Sequence, residues 1–289
     1  MTSDTSESVA ESAAGPVRDA RISAAAAPPR PRRYGAINTL GLSTLVRREV
    51  MRFLKVSAQT VIAPLVSTVL FMMVFALAFG DRGWGNTSHA YVDGLAPGLV
   101  MMAIISNAFQ NASSSIVIAK IQGNSVDFLM PPLSALELSI AFIVGAASRG
   151  LLVGLVGIFA VAPFADMLPE NAFVVLYYAV TASVIFGAIG LLGGIWADKF
   201  DHLAAVANFV ITPLTFLSGT FYSIDALPEP FSAIGHWNPV FFLIDGFRSG
   251  FIGHADASPM IGIAVTFGLA VGLCYACWAV LKSGYRLKA

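Results

Sequence analysis

Charge is what this sequence of 289 residues lacks. No Asp, Glu, Lys or Arg occurs between Lys55 and Asp81, Asp93 and Lys120, Glu170 and Asp198, Asp201 and Asp225, or Asp256 and Lys282. A sixth stretch, between Glu137 and Asp166, holds only Arg149. Each gap is long enough for the roughly 20 apolar residues of a membrane-crossing helix, and in lipid only a helix satisfies its backbone polar groups within one segment. With 56% hydrophobic residues, 12% charged residues and a mean hydropathy of +0.75, a water-soluble globule is excluded for want of polar surface.

Other absences narrow the chemistry. No G-x-x-x-x-G-K-[ST] phosphate loop occurs, so hydrolysing ATP by that route needs another subunit. No H-E-x-x-H or G-x-S-x-G element is present, and His89, His202, His236 and His254 are scattered without ligand spacing, so no metal site and no catalytic residue is expected. The only cysteines, Cys274 and Cys277, share one helix face inside the last apolar window. That setting suits a buried apolar pair, because a reactive thiolate needs an electropositive, accessible surrounding. Asp198, Asp201 and His202 form the one carboxylate-histidine group, which reads as a solvated turn rather than a membrane-embedded enzyme site.

What is present is an all-α membrane protein with six transmembrane helices, expected at Gln59 to Phe79, Pro97 to Ile118, Leu138 to Phe164, Ala172 to Ile195, Leu203 to Phe221 and Pro259 to Leu281. Residues 1–37, rich in Ser, Ala, Pro and Arg, read as a disordered tail without a cleavable signal. Residues 38–56 read as an amphipathic interfacial helix, with Leu42, Leu45, Val46, Val50 and Phe53 at helical spacing and Arg47, Arg48, Glu49 and Arg52 between them. Residues 57–289 form the six-span domain. When the spans are threaded alternately, nine of the 17 Lys and Arg precede the first one, and Lys120, Lys199, Lys282, Arg286 and Lys288 fall on the same side. The positive-inside rule then puts both termini in the cytoplasm. Phe231 to Phe251 is too apolar for a plain loop and too broken for a span, so two short helices dipping into the outer leaflet are expected before the last crossing.

Arg149 stands out because a guanidinium at the centre of a membrane helix costs about 2.5 to 3.5 kcal/mol. It either faces the interior, where it holds an anionic head group or a gate contact, or it is fixed by snorkelling or an interhelical hydrogen bond. The apolar residues Val126, Phe128, Leu129 and Met130 stand in a loop that the threading places in the cytoplasm, which marks a docking surface or a short helix packed on the bundle. An ion-coupled secondary carrier is the alternative class, but it calls for paired half-repeats and mid-membrane carboxylates, and every carboxylate lies outside the windows.

Several stretches together carry a family resemblance: Arg48-Glu49 in the amphipathic helix, Asp127-Phe-Leu-Met-Pro-Pro-Leu-Ser134, Ser148-Arg149-Gly150-Leu-Leu-Val-Gly154, and Lys199-Phe-Asp201. Thr212-Pro213-Leu-Thr-Phe-Leu-Ser-Gly219-Thr-Phe-Tyr222-Ser223, and Asn238-Pro239 with Arg248 nine residues after Pro239, are the most specific of them. From Asn38 to Leu287 the chain resembles the permease subunits of type-2 ABC exporters, in particular the branch of the nodulation-factor exporter permeases. It departs in carrying the single acid Asp127 where that branch usually has two. The resemblance implies an inner-membrane half-transporter that joins a second, usually identical, permease and separate ATPase subunits, which bind the ATP and Mg. It implies no cofactor in this chain and no nucleic-acid partner. It implies ATPase coupling through Arg47, Arg48 and Glu49, through the loop holding Gln122, Asp127, Phe128, Leu129, Met130 and Pro131, and through Lys199 and Asp201. A substrate route between the first and fifth spans would involve Arg149, Pro213, Phe216 and Tyr222, with Asn238, Pro239 and Arg248 in the outer re-entrant segment. The expected cargo is amphipathic, lipid-linked or drug-like.

Overall fold

The computed structural model describes residues 37–80, 82–85, 89–124, 130–224, 228, 235 and 237–286. Six of its helices are long and apolar enough to cross a membrane. In chain order the helices are α1 (Thr39–Leu54), α2 (Ala58–Phe79), α3 (Tyr91–Ile121), α4 (Ala135–Val161), α5 (Ala172–Trp196), α6 (Phe200–Leu217), α7 (Pro239–Ile252) and α8 (Pro259–Ser283). The spanning set is α2 to α6 with α8, one helix for each uncharged window. No named strand occurs among the described residues.

Helix ends move from the expected positions where capping and proline decide them. α3 starts at Tyr91, so Pro97 lies inside it, at the cost of one backbone hydrogen bond. α6 runs from Phe200 and stops at Leu217, short of Phe221, because Gly219 adopts a left-handed φ of 78°. Of the expected outer segment, α7 is a single helix capped by the Asn238 side chain and ended by left-handed Gly253, and it packs against α3, α5 and α8. The tail at 1–36 lies outside the described residues, as do Asp127, Phe128 and Leu129 and positions 231–234 and 236.

Two populations of spans result. In α3, 78% of the apolar window is buried, with 56% in α4 and 50% in α5, against 11%, 17% and 17% in α2, α6 and α8. The inner three meet through small residues. A Cβ on Gly190 of α5 would strike the Phe109 carbonyl of α3, one on Gly194 would come within 2.9 Å of the Ser113 oxygen, and Gly150 of α4 brings that helix against Ala108. The outer three turn large apolar side chains away from the bundle: Leu77 is 83% exposed, Phe209 80% and Met260 81%. Such surfaces are stable only where hydrocarbon or another apolar helix covers them.

α1 is bolted to the start of α4 by one carboxylate. Ser134 and Glu137 form a reciprocal capping box, with the Ser134 N–H donating to Glu137 Oε2 at 2.6 Å. The other Glu137 oxygen accepts from the backbone N–H of Asn38, which caps α1 and also donates through Nδ2 to the Pro132 oxygen at 3.3 Å. Cys277 is buried and lies 3.4 Å from the Ala188 oxygen of α5, so it belongs to the helix packing.

The close approach of α3 and α5 makes a direct test. Gly190→Ala should destabilise the purified protein by about 1–3 kcal/mol in a detergent unfolding titration, the range of an overpacked core. Gly272→Ala on α8, where a Cβ meets nothing within 4 Å, should leave the transition in place.

Candidate functional site between the first and fifth spans

A cavity of about 900 Å³ lies between α2 and α6, with α3 and α4 behind it and α1 at one end. Both flanking helices are built by the same local sequence, Ala58-Gln-Thr-Val-Ile-Ala-Pro-Leu65 in α2 and Ala207-Asn-Phe-Val-Ile-Thr-Pro-Leu214 in α6. In each the first five residues form a π turn, Ala58–Ile62 and Ala207–Ile211, and the proline follows two residues later. A proline removes one N–H and clashes with the carbonyl four residues back, and a widened turn just before it absorbs that misfit. Threonine hydroxyls take up local carbonyls: Thr60 Oγ1 donates to the Phe53 and Val56 oxygens at 3.1 Å each, and Thr212 Oγ1 to the Ala207 oxygen at 2.9 Å.

Arg149 reaches this cavity from α4 and is 8% exposed. Fourteen residues past the start of α4, it stands roughly 21 Å along the helix, near mid-membrane. Its Nε and Nη2 both donate to Asn107 Oδ1, at 3.2 and 2.9 Å, and no carboxylate of the described residues is within ion-pair distance. The interhelical hydrogen bond expected as the second alternative is thus present, on a side chain that also lines the cavity.

Arg52 of α1 also lines the cavity. Its Nη2 donates to Glu49 Oε2 at 3.1 Å and to the Asn111 oxygen at 2.7 Å, and Glu49 Oε1 accepts from Ser115 Oγ at 2.9 Å. Glu49, expected in the coupling set, is 1% exposed, and its carboxylate ties α1 to α3 from inside. Arg47 and Arg48 do stand exposed on α1, and Gln122, Met130, Pro131, Lys199 and Asp201 are exposed in loops and helix starts at the α1 end of the bundle. That end is held by Lys120, whose Nζ donates to the Ile195 and Ala197 oxygens at 2.7 and 2.8 Å and pairs with Asp198.

The other end of the α2–α6 seam is filled by aromatic rings. Phe221 contacts Phe75 at 5.0 Å between centroids, Phe216 at 5.1 Å and Phe71 at 6.2 Å. Tyr222 donates to the Phe216 oxygen at 3.3 Å, and burial pushes its phenol pKa up. Pro213 sets the π turn beneath this cluster. Phe216 and Tyr222 are thus together with Phe71, Phe75 and Phe221, at the far end from Arg149.

Arg248, expected in the outer re-entrant segment, lies in α7 and is buried at 2% exposure. Nε donates to the Gly94 oxygen at 2.9 Å, Nη2 donates to the Gly219 oxygen, and the guanidinium lies 4.3 Å from the ring centre of buried Trp84. Burial lowers its pKa, opposed by Asp245 and Asp256. Asp245 accepts from the backbone N–H groups of Asp256 and Ala257 at 2.9 and 3.0 Å, and burial raises its pKa against those bonds. Asn238 Nδ2 donates to the Leu214 oxygen at 3.0 Å and to Ser218 Oγ at 2.6 Å. Pro239 opens α7 in the first turn, where its missing N–H costs nothing. Asn238 and Arg248 therefore lock α7 to the ends of α3 and α6, and Asp245 ties it to the turn before α8. No group of three or more His, Cys, Asp and Glu that could hold a metal occurs among the described residues.

The ABC-2 type transporter pattern matches residues 41–252. The chain belongs to that family. It is 34% identical over 258 residues to the inner membrane transport permease YadH of Escherichia coli K12, covering 86% of this chain and 98% of that protein. It is 24% identical over 227 residues to nodulation protein J of Rhizobium leguminosarum bv. viciae, covering 76% and 85%. A third relative, nodulation protein J of Sinorhizobium fredii NGR234, is 23% identical over 255 residues, covering 84% and 97%. In this ABC-2 type chain the sequence patterns that were passed over are the Ser134-x-x-Glu137 capping box and the repeated Ala-x-x-Val-Ile-x-Pro-Leu.

The Glu49–Arg52 pair yields a double-mutant test of the α1 anchor. Glu49→Ala should cost about 3 kcal/mol of unfolding free energy by stranding Arg52, and the Glu49→Ala, Arg52→Leu double variant should recover part of that loss. Additive losses would show that the pair does not act as a unit.

Proposed function

We propose that this chain is the transmembrane subunit of an ATP-driven exporter in the bacterial inner membrane, working with a separate ATPase and a second permease copy. Membership of the ABC-2 type transporter family supports the transport role, and the missing phosphate loop supports a borrowed motor. On this reading ATP and Mg belong to the partner, and this chain supplies no catalytic residue and no cofactor site. Both termini face the cytoplasm, where the positive charge lies.

The observation that carries the reading is the α2–α6 cavity, flanked by two of the three spans that bury little of their surface toward their own bundle. A second copy set against α2 and α6 would close that cavity into a route. Arg149 lines its inner part, and Pro213, Phe216 and Tyr222 form the outer aromatic gate. Force enters at the α1 end. Arg47 and Arg48, the loop from Gln122 through Asp127, Phe128, Leu129, Met130 and Pro131, and Lys199 with Asp201 meet the ATPase. Glu49 passes the motion on to α3 through Arg52 and Ser115. Only differential contacts with the ATP-bound and ATP-free partner can bias the permease, so coupling must reside on that surface. Asn238, Pro239 and Arg248 hold the outer segment that caps the exit. The cargo is an amphipathic, lipid-linked or drug-like molecule.

Reconstitution with the ATPase tests this. Arg47→Glu with Arg48→Glu, or Met130→Asp, should lower permease-stimulated ATP turnover about tenfold, the equivalent of ~1.4 kcal/mol in the coupling contact. The folded fraction should not change. Unchanged turnover in both variants would refute coupling through this face.

A further inference from the structure

The cavity between α2 and α6 holds an imbalance of charge and of hydrogen bonding. Its lining includes Arg149 and Arg52 and no Asp or Glu. Arg52 is neutralised by Glu49, whereas Arg149 has only the Asn107 amide oxygen, and its Nη1 has no acceptor among the described residues. Three amide side chains line the same space: Gln59 of α2, Gln110 of α3 and Asn208 of α6. The structure gives none of these amides a hydrogen-bond partner among the described residues, although all three sit in helices otherwise apolar enough to span a membrane. Gln59 and Asn208 occupy the same place, the second, in the two Ala-x-x-Val-Ile-x-Pro-Leu repeats, so the paired π turns present matched amides from opposite walls. The remaining wall is mostly apolar, with Phe53, Val56, Phe109 and Leu203 among its residues, and its hydroxyls, Thr60, Ser67, Ser113 and Ser114, donate to nearby backbone carbonyls.

We propose that Arg149, Gln59, Gln110 and Asn208 bind the head group of an anionic amphiphile, with a phosphate or carboxylate at Arg149 and the apolar tail between α2 and α6. This deepens the exporter reading and rests on it for placing the cavity on the transport route. An unpaired guanidinium selects an anion, because a charge-assisted bond there replaces water that the membrane does not supply. The amides orient the remaining polar atoms of the head group, accepting or donating as needed. The apolar wall selects a ligand that carries a tail over a free anion.

Equilibrium binding to the purified full-length permease, without ATPase or nucleotide, tests the assignment with dodecyl phosphate as probe and dodecylphosphocholine and inorganic phosphate as comparisons. Dodecyl phosphate should bind about tenfold or more tightly than either. Arg149→Gln should erase the preference over dodecylphosphocholine, and Arg149→Lys should keep most of it. The Gln59→Leu, Asn208→Leu double variant replaces side chains with no hydrogen-bond partner among the described residues, so it should fold normally and still bind dodecyl phosphate several-fold more weakly. Equal binding of the phosphate and phosphocholine probes, or a preference that survives Arg149→Gln, would overturn the site. Competition by inorganic phosphate at the concentration of dodecyl phosphate would overturn its amphiphile specificity. Because no nucleotide is present, these outcomes are independent of ATPase coupling: a permease that couples but shows no preference contradicts this site alone, and one that shows the preference but never couples contradicts the exporter reading alone.

Discussion

Hydrocarbon offers a polar group no hydrogen-bond partner, and that constraint decides where nearly every polar side chain of this bundle sits. Hydroxyls bond back into their own helices, as Ser113 does to the Phe109 oxygen at 2.8 Å and Ser183 to the Ala179 oxygen at 2.7 Å. Arg248 spends its donors on the carbonyls of Gly94 and Gly219 and its face on Trp84. Glu49 divides its carboxylate between Arg52 and Ser115, and Glu137 divides its own between the starts of α1 and α4. The rule is relaxed around one cavity, where Arg149 and three amides face the space between α2 and α6. Among the described residues Asn111 Nδ2 is also buried without a partner, so what sets the cavity apart is that it gathers several such polar groups around one space.

The same constraint separates a rigid part from a movable one. α3, α4 and α5 meet through glycine and alanine contacts that admit no added methylene, so they transmit displacement rather than absorb it. α2 and α6 touch that core over a small part of their surface and carry the π turns. A turn with a longer ring of atoms and a proline beyond it is a natural place for a helix to bend. The layout therefore joins a stiff centre to two flexible walls, with the α1 anchor at one end of the seam and the aromatic cluster at the other.

The uncharged windows made the six spans legible, since a gap in charge of bilayer length has one structural solution. Arg149 was legible for the same reason: it is the one charge inside a window. Arg248 was not, because it lies between apolar residues too broken to count as a span, and only the tertiary approach of α3, α7 and the turn after α6 buries it. Glu49 was hard to place from α1 alone: helical spacing places it beside Leu45 and Phe53 on the buried ridge, yet its charge suggested the surface. Its partner lies one turn away at Arg52, a spacing that was readable as a pair. The starts and ends of α3 and α6 fall several residues from the expected ones, because a proline accepted in the second turn of α3 and a left-handed glycine after α6 leave no mark on hydropathy. The matched amides Gln59 and Asn208 were visible as a repeat and were hidden only by the apolar residues around them.

The central claim is that a cavity between α2 and α6 opens and closes under the control of an ATPase. The most direct measurement is the reactivity of a cysteine introduced by Asn208→Cys, in a chain whose Cys274 and Cys277 are replaced by Ser, toward a membrane-impermeant thiol reagent. The account predicts labelling from the cytoplasmic side without nucleotide and protection when the complex is trapped with ATP bound. Labelling that is identical in both states, in a complex shown to hydrolyse ATP, would contradict it.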